Sequence, residues 1–198
     1  MKALIITDIQ NDFLPGGSLA VPDGDKIIPL VNDLMNKFSI ILATQDFHPK
    51  GHKSFASTHR KKPGEKIGRQ ELWPDHCVQG SKGAELSPKL KLNKIQKIFQ
   101  KGTGPEIDSY SAFFDNDHKH STQLESFLKK NKISEIYLVG LATDYCIRYS
   151  ALDGLRLGFK VFVIADACRG INLKPNDVEK ALEEIKKSGG QIIYSNSL

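Results

Sequence analysis

Two hydrophobic rhythms alternate along the chain. Short, continuous apolar runs occur at Ala3 to Asp8, Ser39 to Thr44, Ile95 to Gln100, Glu135 to Leu141, Lys160 to Ala165 and Gln191 to Tyr194, most of them ending in polar residues. Runs of this kind read as strands buried on both faces. Between them lie stretches with apolar residues three and four apart. Asp25 to Lys37 carries Ile28, Val31, Leu34 and Met35, and Ser121 to Asn131 sets Leu124, Phe127 and Leu128 on one face. Asp144 to Leu157 and Asn176 to Ser188 also read as helices. Alternation of buried strands with helices predicts a parallel sheet covered on both faces, and right-handed crossovers restrict its topology. The expected fold is a three-layer α/β/α sandwich around a doubly wound, mainly parallel six-stranded sheet. At 198 residues, one domain spanning 1–198 is expected.

One stretch breaks the rhythm. From about 45 to 93 there is little periodicity, and Gly, Pro, His and Lys are frequent. A connection of that length inside a compact domain is usually functional or disordered. Its Phe47, His48, His52, Phe55, Trp73 and His76 favour function, so it reads as an insertion that binds a metal.

Composition narrows the classes. No apolar run approaches the roughly 20 residues that span a bilayer, and the N-terminus turns acidic at Asp8 without a leader pattern. A cytoplasmic location and no membrane partner are expected. The three cysteines, Cys77, Cys146 and Cys168, are too few and odd in number for a disulfide framework, which fits a reducing compartment. The net charge of +5 is spread over predicted helix faces and one loop cluster, Arg60-Lys61-Lys62, with no nucleic-acid motif. It reads as a solvated basic surface, and no nucleic-acid partner is expected.

The candidate chemistry follows from position. In open parallel α/β sheets, sites form beyond the carboxyl ends of the strands. Asp8 ends the first strand, Asp46 and His48 follow the second, Lys101 follows the third, and Cys146 opens the helix after the fourth. Four strands thus deliver an acid, metal-type ligands, a cation and a thiol to one edge. A helix N-terminus and a neighbouring lysine would both lower the pKa of Cys146. Asp8 could accept the thiol proton and return it to a departing amine. Asp46, His48, His52 and His76 form a second constellation, whose nitrogen and oxygen donors suit one divalent zinc, iron or manganese ion. His59, His118 and His120 read as surface residues, and Cys77 and Cys168 as packing residues.

These residues fall in motifs that resemble a known family. Asp8-Ile9-Gln10-Asn11-Asp12-Phe13 with Pro15-Gly16-Gly17, then Asp46-Phe47-His48-Pro49 with His52, Trp73-Pro74-Asp75-His76-Cys77-Val78, and Gly140-Leu141-Ala142-Thr143-Asp144-Tyr145-Cys146 are similar to the signatures of nicotinamidases, also called pyrazinamidases. These form part of the isochorismatase-like cysteine hydrolases. The match runs in order along the chain, although Phe47 stands where tryptophan is more usual.

The resemblance implies an amidohydrolase that converts nicotinamide to nicotinate and ammonia in NAD salvage, and that also deamidates pyrazinamide. It implies Cys146 as nucleophile, Asp8 as proton acceptor and donor, and Lys101 as third member of the triad. Zinc would be the first choice of metal on Asp46, His48, His52 and His76. The peptide before Ala142 would be cis, the backbone amides of Ala142 and Cys146 would form the oxyanion hole, and Phe13, Trp73, Tyr110 and Leu141 would contact the substrate. Other carbamoyl-directed cysteine amidases need no metal, so the histidine cluster speaks against them. Asp8 and Lys101 speak against a non-catalytic metal or redox sensor. The motifs leave open whether the protein is a monomer or a homo-oligomer.

Overall fold

A computed structural model describes residues 1–68 and 70–198. All six expected strands form and lie parallel: β1 (Lys2–Thr7), β2 (Ile41–Asp46), β5 (Lys97–Lys101), β6 (Glu135–Leu141), β7 (Lys160–Arg169) and β8 (Gln191–Ile193). A two-stranded hairpin, β3 (Lys66–Ile67) with β4 (Gln70–Glu71), stands apart from them. The main sheet runs in the order β5-β2-β1-β6-β7-β8. Sequence order therefore reverses at β1, which lies between β2 and β6. The crevice beyond the carboxyl ends of strands at such a switch point is where open α/β sheets bind ligands.

The pleat explains the layers. Along β1, Leu4 and Ile6 face one core while Ala3 and Ile5 face the other, all fully buried. The first core is closed by helix α1 (Ile28–Leu34) through Ile28, Val31 and Leu34. The second is closed by α2 (Leu124–Lys130), α3 (Arg148–Arg156) and α4 (Asp177–Lys187), through Leu124, Leu128, Ala151 and Ile185.

The predicted helix over Asp25 to Lys37 is divided. Its α-helical part carries a proline in the first turn, where a missing amide costs nothing, and short 3₁₀ turns flank it at Gly24–Ile27 and Met35–Lys37. β7 runs on to Arg169, past a bulge opposite β6 between Leu138 and Gly140, so Cys168 lies inside a strand rather than beyond it. Gly140 has φ +119, and a Cβ there would sit 2.1 Å from the Thr7 carbonyl oxygen. Only glycine lets β1 and β6 approach this closely.

The excursion from 45 to 93 pairs with itself. His48 bonds across to Cys77 and Gln79, and Trp73 exchanges backbone bonds with Ser54 and Ala56. Cys77, Ala84, Leu86 and Leu90 then join the α1-side core, which brings His48 and His76 together. No helix among the described residues is long and apolar enough to cross a membrane.

Candidate active site

The carboxyl ends of β5, β2, β1 and β6, four neighbours in the sheet, supply the polar centre. Lys101 is the last residue of β5, Asp46 the last of β2, Asp8 follows β1, and Cys146 follows β6. Asp8 has a left-handed backbone (φ 50), which a short polar residue tolerates better than most. Its Oδ1 accepts the Thr44 hydroxyl at 2.6 Å.

Lys101 Nζ lies 3.0 Å from Asp8 Oδ2, 2.5 Å from Asp46 Oδ1 and 3.5 Å from Cys146 Sγ, and donates to the Ser109 carbonyl at 2.8 Å. Polar atoms of Asp8, Asp46 and Cys146 all fall within 4.8 Å of one another. The lysine side chain is fully buried. Burial opposes its charge, but Asp46 and Asp8 outweigh that and hold its pKa well above the ordinary value. Burial also raises Asp8, only partly offset by Lys101. The resulting carboxyl can hold a proton and return it.

The thiol departs from the expectation of a lowered pKa. Burial pushes Cys146 well up, Lys101 lowers it only in part, and Asp8 and Asp46 add to the rise. Lys101, already paired with Asp8 and Asp46, offsets the burial of the thiol only in part, and the thiol lies beside Asp8, a carboxyl placed to accept its proton. Its turn, Thr143–Ile147, is π-helical and leads into α3, and the Leu141–Ala142 peptide is cis. Asp144 in that turn accepts the backbone amides of Ile171 and Asn172 at 3.0 and 2.7 Å, which fastens the loop after β7 over the site.

Asp46 also faces the imidazoles. Its Oδ2 lies 3.6 Å from His48 Nε2 and 3.8 Å from His76 Nε2. His48 Nδ1 bonds the Gly102 carbonyl at 2.9 Å and His76 Nδ1 bonds the Pro74 carbonyl at 2.8 Å. Both rings thereby donate from Nδ1 and turn Nε2 toward Asp46, the orientation seen in metal-ligating histidines. Among the described residues, His48 Nε2 is buried with no hydrogen-bond partner. Burial works against ionisation of Asp46, yet Lys101 and His48 keep its pKa well below the ordinary carboxylate range. This orphaned nitrogen, a second free nitrogen and an ionised carboxylate fit a divalent cation.

His52 stands slightly apart. Its ring is 4.6 Å from that of His48, but it lies outside the tight group of Asp46, His48 and His76. Its Nδ1 accepts the Ser54 amide at 3.0 Å, which leaves Nε2 to face the Ile107 carbonyl at 3.4 Å.

Gln10 explains its place in the first motif. Its side chain pairs with both the amide and the carbonyl of Asp46, each at 2.8 Å, and also donates to the Ala84 carbonyl. It thus holds the shared carboxylate in register. Gly102 has φ +63, and a Cβ there would lie 2.4 Å from His48 Cε1. Gly102→Ala is therefore expected to displace His48 and weaken any divalent-cation binding at this cluster about tenfold or more, checked with zinc as the probe by competition with a chromogenic chelator. Unchanged affinity would show that His48 relocates without loss.

A narrow cavity joins the two constellations. Phe13, Trp73, Tyr110, Ala142 and Cys146 line it, together with Asp46 and His76. Trp73 Nε1 donates to the Tyr110 hydroxyl at 3.0 Å. Leu141, expected to contact substrate, is 1% exposed and packs toward Gly24 in the core rather than into the cavity, because alternation along β6 turns it inward. Leu19, Asp108, Tyr145 and Ile171 also line the cavity and were not singled out from sequence. Tyr145 falls inside a recognised motif, so its position beside Cys146 was a usable signal. Asp108 and Ile171 come from irregular segments that carry none.

The fold and the thiol–carboxylate–ammonium centre define a cysteine hydrolase of the open α/β class. A family model described as the Isochorismatase domain matches residues 2–197. The chain is 46% identical to the nicotinamidase of Acinetobacter baylyi over 201 residues, covering 99% of this chain and 94% of that protein. It is 45% identical to the nicotinamidase of Escherichia coli, covering 96% and 93%. Among solved structures, an Acinetobacter baumanii nicotinamidase and pyrazinamidase matches with a TM-score of 0.96 at 45% identity, over 99% of this chain and 97% of that one. The Pyrococcus horikoshii pyrazinamidase in complex with zinc matches at 0.81 and 42% identity, over 98% of each chain. The yeast nicotinamidase bound to the inhibitor nicotinaldehyde matches at 0.90 and 34%, over 98% and 100%. The chain belongs to the isochorismatase family, within its nicotinamidase branch.

Proposed function

We propose that this site hydrolyses nicotinamide to nicotinate and ammonia through a thioester on Cys146, and accepts pyrazinamide as well. The observation that carries the reading is one juxtaposition. The thiol of Cys146, beside Asp8 and Lys101, lines an aromatic-walled cavity together with Asp46 and His76 of the Asp46–His48–His76 cluster. The nicotinaldehyde bound by the yeast relative is a pyridine ring of the same kind.

The sequence of events uses this chain's own groups. Phe13, Trp73 and Tyr110 hold the ring and aim its carboxamide at Cys146, so that orientation contributes to the rate. The thiol gives its proton to Asp8 as sulfur attacks the carboxamide carbon. Backbone amides of Ala142 and Cys146 receive the oxyanion, the kind of interaction that contributes about 3–4 kcal/mol per donor. Asp8 passes the proton to the nitrogen as the C–N bond breaks, and ammonia leaves. Asp8 next takes a proton from water, whose oxygen attacks the thioester carbon. Nicotinate departs and the sulfur recovers its proton. Throughout, Lys101 stays cationic and balances Asp8.

Asp46, His48 and His76 would hold one divalent ion, zinc being the first choice on the strength of the Pyrococcus complex, with His52 close behind them. That ion supplies a Lewis-acid anchor for the pyridine nitrogen.

The test is ammonia release from nicotinamide by purified protein, before and after chelation and after zinc is restored. Most of the activity is expected to vanish on chelation and return with metal. A folded, zinc-loaded protein that releases no ammonia from nicotinamide would overturn the reading, and activity untouched by complete metal removal would overturn the metal's part in it.

A further inference from the structure

Tyr145 separates two compartments. Its ring is a wall of the catalytic cavity, set edge-on to Trp73 with centroids 5.0 Å apart and an interplanar angle of 85°, and 5.4 Å from Tyr110. Its hydroxyl leaves the cavity on the outer side and donates to Glu71 Oε2 at 3.1 Å. Glu71 and Tyr145 there line a separate, open groove with Lys66, Arg148 and Lys174. Glu71 ends the β3–β4 hairpin, where it pairs with Lys66, and stands two residues before Trp73. The neighbouring Gln70 amide reaches toward Asp108 Oδ2 at 3.5 Å. The hairpin thus meets the cavity wall through Trp73, Tyr145 and Asp108.

The walls differ in how firmly they are held. Phe13 and Trp73 are 6% and 4% exposed, so they are packed on nearly all sides. Tyr110 receives the Trp73 N–H and is backed by Tyr149 at 5.2 Å. Tyr145 is only half-buried, and among the described residues its hydroxyl has one polar partner, Glu71. A carboxylate acceptor makes that bond stronger than a neutral one, and burial together with Glu71 keeps the tyrosine in its protonated, donating form.

From this we infer that Glu71, which touches neither the reacting atoms nor the cavity, is a positioning residue for the reaction. By accepting the Tyr145 hydroxyl hydrogen, it fixes that ring over the substrate and ties the ring to the β3–β4 hairpin. The inference rests on reading the cavity as the nicotinamide site. Its main test does not.

Trp73 is the chain's single tryptophan and lies against Tyr145, so its fluorescence reports on this wall without substrate. Acrylamide quenching of Trp73 is expected to rise about twofold in Glu71→Ala and in Tyr145→Phe, because each frees the wall to open locally. The double variant should quench no more than either single one, and Glu71→Gln, which keeps an acceptor, should stay near the wild type. With nicotinamide, Glu71→Ala should raise KM about threefold to tenfold, the loss of one hydrogen bond, while kcat holds within about twofold. Quenching unchanged in Glu71→Ala, additive effects in the double variant, or a loss confined to kcat would overturn the proposal. A wild type that ignores nicotinamide would remove the substrate reading alone, and the quenching series would still decide the role of Glu71.

Discussion

Cys146→Ala protein should fold, match the wild type in divalent-metal content, and lose nicotinamide turnover by roughly 10⁴-fold or more, the scale of deleting a covalent nucleophile. Among the described residues that line the cavity, no other cysteine is present to take over. Cys77 is buried in the α1-side core and Cys168 in the opposite one. Loss of the Cys146 sulfur leaves Asp8, Asp46 and Lys101 still paired. Ammonia release, circular dichroism and zinc content on one preparation separate these effects. Turnover near the wild-type rate would remove the thioester mechanism. Parallel loss of fold and zinc would make Cys146 a structural residue.

Lys101→Met should reduce both activity and stability. The lysine is the cation between Asp8 and Asp46, which otherwise face each other in a buried site. Methionine matches its length but leaves Asp8 without its cation and Asp46 with only the neighbouring imidazoles. Removing one partner of a buried ion pair typically costs about 3–5 kcal/mol, which for a domain of this size is a drop of roughly 6–20 °C in Tm. Thermal unfolding with and without zinc reads this directly. Zinc should recover part of the loss by holding Asp46 from its other side. An unchanged Tm would mean that the carboxyl groups simply take up protons, and that Lys101 serves catalysis alone.

How much of this was legible beforehand can be judged residue by residue. The continuous apolar runs located all six strands of the main sheet because strands buried on both faces have no polar alternation to disguise them. Their polar ends marked Asp8, Asp46 and Lys101, since a charge is costly within a strand buried on both faces. The helix at Asp144 was visible from its spacing, but its first turn is π-helical, and a periodicity near 3.6 does not register one widened turn. Leu141 was assigned to the substrate through its motif, whereas the strand's alternation sends its side chain into the core. His52 shares the loop of Asp46 and His48, but the Ser54 amide bonded to its Nδ1 depends on backbone conformation that composition does not encode.

By itself, the sequence determined the layer order, the elements, and which residue types gather at one edge of the sheet. Hydrophobic period and strand-end polarity are local properties, written in consecutive residues. Only the tertiary structure decided how that edge works. Asp46 is shared between Lys101 and two imidazoles, the thiol is raised rather than lowered, and Glu71 reaches Tyr145 from a hairpin 74 residues away in the chain. The physical reason is that charge balance, desolvation and hydrogen-bond geometry depend on what surrounds a group in three dimensions, and the neighbours that matter here are contributed by segments far apart in the chain.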